Sequence, residues 1–130
     1  MKKLFIFIFC IFLTSCTLVQ TEKNYGELIV SNYSEDESLV ITNIYLKQKD
    51  TQGYILHFIG EIKNWYSQIL EVDPDKYSVR IDVEQTKPDL DIEVKSYETG
   101  YNIYKLIDLN QTVEVIFDGD GIYFSEEIQL

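Results

Sequence analysis

The stretch YSVRIDVE, residues 77–84, alternates apolar and polar side chains along its whole length. Its odd-numbered residues are aliphatic or aromatic, and its even-numbered residues are hydroxylic or charged. Successive side chains of a β-strand point to opposite faces, so this alternation places one face on a core and the other in water. A sheet with one solvated face is typical of antiparallel β-structure. The stretch therefore predicts an all-β fold.

The same alternation recurs in DLDIEVK, residues 89–95, and in QTVEVIF, residues 111–117. In the first of these segments, Leu90, Ile92 and Val94 are expected to face the core, while the intervening acidic residues face water.

Two other segments, residues 39–46 and 54–62, are more continuously apolar, which predicts central strands of a sheet. β-Branched and aromatic residues, which favour strands, dominate both of them. In all, strands are predicted at residues 26–32, 38–48, 53–63, 76–85, 89–97, 101–108, 111–118 and 122–129.

Residues with turn-forming chemistry separate these strands. They include aspartate, glycine and proline in DTQG, DPD, ETG and DGDG, at residues 50–53, 73–75, 98–100 and 118–121. Many short strands with breaks of this kind predict an antiparallel β-sandwich of about seven or eight strands, with a barrel as the alternative.

One segment departs from the period of two. Ile62, Trp65, Tyr66, Ile69 and Leu70 are spaced by three and four residues, as on one face of a helix. The spacing predicts either a short helix or an irregular crossover at residues 64–71.

The chain begins with MKK, followed by ten apolar residues at positions 4–13. A membrane-spanning helix needs about 20 apolar residues, so this run is too short to span a bilayer. A run of about 7–15 apolar residues after a positive start is typical of a signal peptide.

The four residues that follow, LTSC at positions 13–16, resemble the lipobox of bacterial lipoproteins. The resemblance implies that a diacylglyceryl group is joined to the thiol of Cys16 and that the chain is cut between Ser15 and Cys16. Further acylation of the new amino group would make the anchoring stable, because a single chain binds a membrane only marginally. The alternatives are an ordinary cleaved signal peptide and an uncleaved anchor or buried strand.

The resemblance divides the chain into a signal peptide at 1–15, a lipidated cysteine with its tether at 16–24, and a β-sandwich domain at 25–130. Thr17 stands where some bacteria use Asp to retain a lipoprotein at the inner membrane. The expected location is therefore the cell envelope, at the outer membrane or the cell surface.

Short motifs of the domain are also similar to small envelope lipoproteins with immunoglobulin-like or transthyretin-like sandwiches. These motifs are LIVSN at 28–32, ITNIYL at 41–46 and GEIKN at 60–64. The resemblance supports the β-sandwich and assigns no functional residue.

The charge of the chain is strongly acidic, with 22 acidic and 11 basic residues. Without Lys2 and Lys3 the balance is 9 basic against 22 acidic residues, a net charge of −13. Nucleic-acid binding needs clustered basic residues to neutralise phosphates, so this composition argues against it.

Three groups of residues are candidates for chemistry. His57 is the only histidine, and it lies in a predicted strand without a nucleophile motif. Asp89, Asp91 and Glu93 share one strand face. This face is either an ordinary solvated surface or the site of a carboxylate pair that could act in hydrolysis. Asp118 and Asp120 lie in a glycine-rich turn that could bind calcium but lacks the EF-hand spacing. We expect a hairpin turn there, no metal and no other cofactor.

Ten tyrosines and one tryptophan supply large, rigid contact surfaces. We expect a non-enzymatic binding role for this envelope protein, anchored to the membrane by lipid and contacting an envelope partner. The alternatives are an acid-based hydrolase and a calcium-stabilised β module. The candidate interaction patch consists of Trp65, Tyr66, Tyr97, Tyr101 and Tyr104.

The anchor is tested by Cys16→Ala. We expect the variant to lose incorporation of labelled fatty acid and to leave the membrane fraction, because the thiol is the acceptor of the lipid. Cys10→Ala is the matched control, since Cys10 lies inside the discarded signal peptide. Label retained by the Cys16 variant would refute lipidation at this position.

Overall fold

The computed structural model describes residues 24–100 and 103–125, in which nine strands and no helix are found. Accordingly, none of these residues belongs to a helix that could cross a membrane. The prediction of an all-β fold is confirmed. The strands are β1 Gly26–Asn32, β2 Leu39–Gln48, β3 Ile55–Ile62, β4 Ser67–Val72, β5 Asp75–Thr86, β6 Ile92–Glu98, β7 Lys105–Ile107, β8 Thr112–Phe117 and β9 Ile122–Phe124.

The strands form the two packed sheets of a β-sandwich. Sheet I has the order β4-β1-β8-β9, and sheet II has the order β3-β2-β5-β6, with β7 also paired to β5. The pairing is antiparallel except between β1 and β8, which run parallel. The core between the sheets is aliphatic and aromatic, with Leu28, Val30, Ile41, Ile44, Val79, Ile81, Val115 and Phe117 all fully buried.

The central strands bear out the alternation seen in the sequence. β5 lies inside sheet II, and its Tyr77, Val79, Ile81 and Val83 are at most 3% exposed. β2 is also internal, as its apolar sequence predicts. Burial of each large aliphatic side chain of this kind is worth about 1.5–3 kcal/mol, so this alternation is a main determinant of the fold.

The prediction for β3 is wrong, because this strand lies at the edge of sheet II. Its Ile55, Leu56 and Ile59 are 61%, 42% and 73% exposed. Its pairing with β2 is also irregular, with a register shift that leaves His57 unpaired between Leu56 and Phe58. Local apolar content does not distinguish a central strand from an apolar edge strand.

The predicted inward face of β6 is also wrong. Leu90, which lies in the loop before β6, and Ile92 and Val94 within it are 82%, 64% and 55% exposed, so all three face water. Pairing of Ile81 with Tyr97 and of Val83 with Lys95 places the other set of β6 side chains on the inner side. An edge strand tolerates this arrangement, because the charged ends of inward side chains can still reach water.

Residues 64–71 form no helix: a turn at 63–66 crosses from β3 in sheet II to sheet I, where residues 67–71 lie in β4. Tyr66 N–H donates to Lys63 O at 3.0 Å, which closes a turn at 63–66. The chain then enters β4, which pairs with β1. Trp65 and Ile69 are 62% and 53% exposed, so the apolar residues with helical spacing do not share one buried face.

The sandwich has two ends with different loops. β1 runs from the end near Asn24 to the end at Asn32, where it meets the last residue of β8. We name these the Asn24 end and the Asn32 end. The Asn32 end holds the connections at residues 33–38, 63–66, 87–91 and 118–121.

Asn32 joins the two sheets at its end of the sandwich. The residue is fully buried, and its Nδ2 donates to Leu39 O and Ile62 O, both at 2.9 Å. Its Oδ1 accepts from Ser34 N–H at 3.1 Å. A buried amide with partners on both its oxygen and its nitrogen is well satisfied, and here those partners belong to β2, β3 and the loop after β1.

We therefore expect Asn32→Ala to lower the free energy of unfolding by about 2–3 kcal/mol, because it leaves two backbone carbonyls without their donor. Asn32→Asp should be at least as harmful, since a carboxylate cannot donate to a carbonyl. Asn24→Ala is the matched control on an exposed asparagine, with an expected change within about 0.5 kcal/mol. Denaturant unfolding measures all three; an Asn32→Ala variant as stable as the control would contradict the role given to Asn32.

Candidate functional site

Three aromatic residues lie at the Asn32 end, where Tyr33 and Trp65 are in ring contact and Tyr66 follows Trp65 in the chain. Tyr33 and Trp65 have ring centroids 6.0 Å apart with a tilt of 31° between the ring planes. Trp65 and Tyr66 are 62% and 67% exposed, and Tyr33 is 38% exposed. We name these three residues the Trp65 surface. Exposed aromatic side chains in a group are typical of binding sites, because they offer a large contact area.

Trp65 is held in an unusual backbone conformation. Its φ angle is +71°, in the left-handed region that bulky residues rarely adopt. It is the third residue of the 63–66 turn, the position at which a type II turn requires positive φ and favours glycine. The turn is fixed to β1, since Trp65 N–H donates to Asn32 O at 2.6 Å and Asn32 N–H donates to Tyr66 O at 3.0 Å.

A chain of hydrogen bonds continues from the Trp65 surface across the outer face of sheet I. The hydroxyl of Tyr33 donates to Glu114 Oε2 at 3.1 Å, and that of Ser31 donates to the same oxygen at 2.6 Å. Ser67 Oγ lies 2.7 Å from Ser31 Oγ. Because Ser31 gives its only hydroxyl proton to Glu114, Ser67 is the donor in that pair.

A hollow of about 350 Å³ lies beside Tyr66, next to the 63–66 turn and the start of β4. It opens between the edge strands of the two sheets, and its volume is near the lower limit for small-molecule sites. The lining combines carboxylate, ammonium, amide, hydroxyl and aromatic groups, from Glu61, Ile62, Lys63, Tyr66, Ser67 and Gln68.

The other tyrosines of the predicted patch lie elsewhere. Tyr97 is half-buried on β6 and packs on Phe117, with 5.2 Å between the ring centroids. Tyr104 lies near the Asn24 end, where the ammonium of Lys47 is 6.0 Å from the centre of its ring. Tyr101 lies outside the described residues, as do Ser15 and Cys16. The structure thus groups Trp65 and Tyr66 but not Tyr97 or Tyr104 with them.

A second cleft at the Asn32 end is lined by acidic residues. It encloses about 340 Å³ between the 33–38 loop, the 118–121 turn and β6. Its wall includes the carboxylates of Asp36, Glu93 and Asp118 and the ring of Tyr97. This is where the sequence candidate Glu93 meets other acidic side chains.

The directions of the pKa shifts of two carboxyl groups in this cleft do not favour acid catalysis. Hydrogen bonds from the Ser38 hydroxyl and backbone lower the pKa of Asp36. A hydrogen bond and the charge of Lys87, and then the charge of Lys95, lower the pKa of Glu93. A general acid near neutral pH needs a raised pKa, so both groups are shifted in the opposite direction.

Asp89 and Asp91 belong to the turn before β6. Asp91 N–H donates to Asp89 Oδ1 at 3.2 Å, so Asp89 has a local role in shaping the backbone.

His57 is far from these acidic residues in the fold. It lines a different cleft, of about 550 Å³, at the Asn24 end, together with Glu71 and Asp73. Burial lowers the pKa of His57, which favours the neutral imidazole.

The glycine-rich turn is a hairpin, as predicted. It joins β8 to β9, and Asp118 N–H donates to Gly121 O at 3.2 Å. The Oδ1 atom of Asp118 accepts from the N–H groups of Asp120 and Gly121, so it serves the turn itself. Within residues 24–100 and 103–125, no cluster of three or more potential ligating residues is arranged for a metal ion.

Sequence reasoning missed Tyr33, Ser31, Ser67 and Glu114. No local pattern marks them, because their contacts join residues 36 to 83 positions apart. The available signal was the tryptophan itself, an exposed aromatic residue in a segment that fits neither helix nor alternating strand.

Comparisons with protein-family models, with curated proteins and with solved structures found no significant match to this chain. A function is therefore inferred from the chemistry of its own residues.

The lowered pKa of Glu93 gives a testable titration. Lys87 Nζ lies 2.6 Å from Glu93 Oε2, and Lys95 Nζ lies 3.7 Å from Glu93 Oε1. We expect Lys87→Ala to raise the pKa of Glu93 towards its ordinary value of 4.5, and Lys95→Ala to raise it less. Carboxyl carbon shifts followed by NMR against pH measure both changes.

The sign of the effect on stability follows from the lowered pKa. The ion pairs of Glu93 stabilise the fold above its unfolded-state pKa, and this stabilisation is lost as the pH falls through the folded-state value. The Lys87→Ala variant should therefore differ from the parent chain at neutral pH and converge with it in acid. A difference that grows in acid would contradict this assignment.

Proposed function

We propose that this protein is a lipid-anchored component of a bacterial envelope that binds a partner, without catalysis, through the Trp65 surface. The observation that carries the proposal is the grouping of Tyr33, Trp65 and Tyr66 at one end of the sandwich, with Trp65 and Tyr66 mostly exposed. Isolated exposed apolar residues are ordinary on a protein surface, whereas a contiguous aromatic group is typical of an interaction site.

The backbone at Trp65 supports the proposal. Left-handed backbone costs a non-glycine residue roughly 1–2 kcal/mol, and an exposed side chain regains little of this by burial. Leu90 has a similar φ of +69°, so strain of this kind does not by itself mark a binding position; at Trp65 it fixes the side chain in place next to Tyr33. Three hydrogen bonds around the 63–66 turn hold Trp65 in this conformation.

The direction of β1 supports a partner that approaches from outside. The tether of residues 17–24 would reach roughly 16 Å from the lipid to the domain. It joins the Asn24 end, whereas the Trp65 surface lies beyond the last residue of β1. The seven residues of β1 separate the two ends by about 20 Å. The aromatic group of an anchored domain would therefore face away from the bilayer.

The distribution of charge favours the same orientation. The Asn32 end carries most of the loop carboxylates, at Glu35, Asp36, Glu37, Asp89, Asp91, Asp118 and Asp120. Lysines lie near the opposite end, at Lys47, Lys49, Lys76 and Lys105. Asp50, Asp73, Asp75 and Asp108 balance these lysines, whereas Lys63 and Lys87 offset only part of the acidic excess at the Asn32 end. An anionic membrane surface therefore repels the Asn32 end more strongly than the Asn24 end.

The strain at Trp65 leads to a prediction about stability. We expect Trp65→Gly to change the free energy of unfolding by less than about 1 kcal/mol, because relief of the left-handed backbone offsets the lost contact with Tyr33. Leu90→Gly is the matched control, since Leu90 has a φ of +69° and is 82% exposed. Thermal or denaturant unfolding measures both; a large loss of stability in Trp65→Gly alone would mean that Trp65 supports the fold rather than a partner.

Binding through the Trp65 surface is tested by site-specific photocrosslinking in cells that make the full lipidated chain. A photoreactive residue at position 66 is expected to give a defined adduct, and Trp65→Gly in the same chain is expected to abolish it. The same residue at position 90 serves as a control, because Leu90 is an even more exposed residue of the 87–91 loop at the same end of the sandwich. Equal adducts at both positions, or adducts that do not depend on Trp65, would overturn the proposal.

A further inference from the structure

We infer that the Trp65 surface and the hollow beside Tyr66 together bind an uncharged oligosaccharide. The inference rests on the proposed function, because it names the ligand class of the same surface. Its support comes from the polar groups that accompany the rings, from the fixed position of Tyr33 and from the balance of charge.

The hollow offers hydrogen-bonding groups of both kinds within a small space. Lys63 supplies donors, Glu61 supplies acceptors, and the amide of Gln68 supplies both. The ammonium and the carboxylate have opposite charges, so the hollow has little preference for an anion or a cation. A ligand rich in hydroxyl groups, each of which can both donate and accept, matches this lining.

The aromatic rings supply the second element of such a site. One face of a pyranose ring consists mainly of C–H groups, and such a face packs on the flat face of an aromatic ring. Tyr33 is fixed at both ends, because its N–H donates to Phe117 O at 2.8 Å and its hydroxyl donates to Glu114. A ring that is already fixed loses little conformational entropy on binding.

Glu114 adds an acceptor on the same face of sheet I. The hydroxyls of Tyr33 and Ser31 both donate to its Oε2 atom. A carboxylate has two oxygens, so Oε1 can accept a ligand hydroxyl without disturbing this network. The exposed hydroxyl-bearing residue Ser67 lies between this network and the hollow, and it connects the two parts of the site across β4.

The overall charge limits the kind of glycan. Residues 16–130 carry a net charge of −13, so acidic polysaccharides are repelled at long range. A basic peptide is the main competing ligand, because carboxylates are abundant at the Asn32 end. The groups that line the hollow do not share that excess, which is why an uncharged glycan fits this site better.

The test uses the full chain in detergent and an array of uncharged hexose and N-acetylhexosamine oligosaccharides, with hexalysine as the competing probe. Trp65 is the only tryptophan, so its fluorescence reports directly on this surface. We expect at least one uncharged oligosaccharide to shift that emission. By calorimetry, Trp65→Ala and Tyr66→Ala should weaken its binding by about tenfold or more, as for buried aromatic contacts at other interfaces.

Two further variants separate specific from general effects. Tyr33→Phe removes the hydrogen bond to Glu114 and retains the ring, so it should weaken binding less than Trp65→Ala. Leu90→Ala changes an exposed apolar residue of the 87–91 loop, outside the proposed site, and should leave the affinity unchanged. Equal losses in the Leu90 and Trp65 variants would overturn the assignment of this site.

The outcomes distinguish a failure of the oligosaccharide inference from a failure of the proposed binding function. Binding of hexalysine alone, or no oligosaccharide binding while the Trp65-dependent adduct still forms in cells, would overturn the glycan and leave partner binding intact. Absence of both oligosaccharide binding and the adduct would overturn both proposals.

Discussion

The amide of Asn32 is the interaction on which this end of the molecule depends. Its side chain donates to the first residue of β2 and the last residue of β3, so it ties sheet I to sheet II. Its backbone N–H and C=O at the same time hold the 63–66 turn. A single buried residue therefore closes the core and sets the position of Trp65. Because a buried amide is costly when unsatisfied, loss of either set of contacts is expected to destabilise this end of the sandwich.

A consequence is that the Trp65 surface is more rigid than its place on a turn suggests. Loop sites are usually less precise than sites on strands, because loop backbone is held by fewer contacts. Here the turn is hydrogen-bonded to the end of β1, and Tyr33 is fixed by Phe117 on β8 and by Glu114. The strained φ of Trp65 is sustained by these surroundings. Rigid aromatic rings next to satisfied polar groups favour recognition of a ligand by shape and hydrogen bonding, rather than adaptation to many partners.

The sequence predicts the parts of this architecture that depend on local pattern. The alternation in residues 77–84 identifies β5 and its buried face, and the DGDG turn identifies the hairpin between β8 and β9. Alternation alone does not always show which face of a strand is inward. For β6 the inward face is set by its register with β5, and the sequence of β6 by itself does not reveal that register. The same limit applies to the site. Tyr33 and Glu114 are 81 residues apart in the chain and meet only because β1 and β8 are neighbours in sheet I.

An exposed aromatic surface can bind another molecule only if it does not first associate with other copies of the same chain. Apolar edge strands and exposed rings tend to associate with other copies of the same chain. Two features of this molecule oppose that outcome. The register shifts between β2 and β3 interrupt the exposed edge as a template for pairing, and bulges are a common way to protect such edges. The acidic residues at the Asn32 end repel the same end of another copy, although this repulsion is screened beyond about 8–10 Å at ordinary salt. The acidic charge of the Asn32 end thus limits association of the Trp65 surface with other copies of the chain.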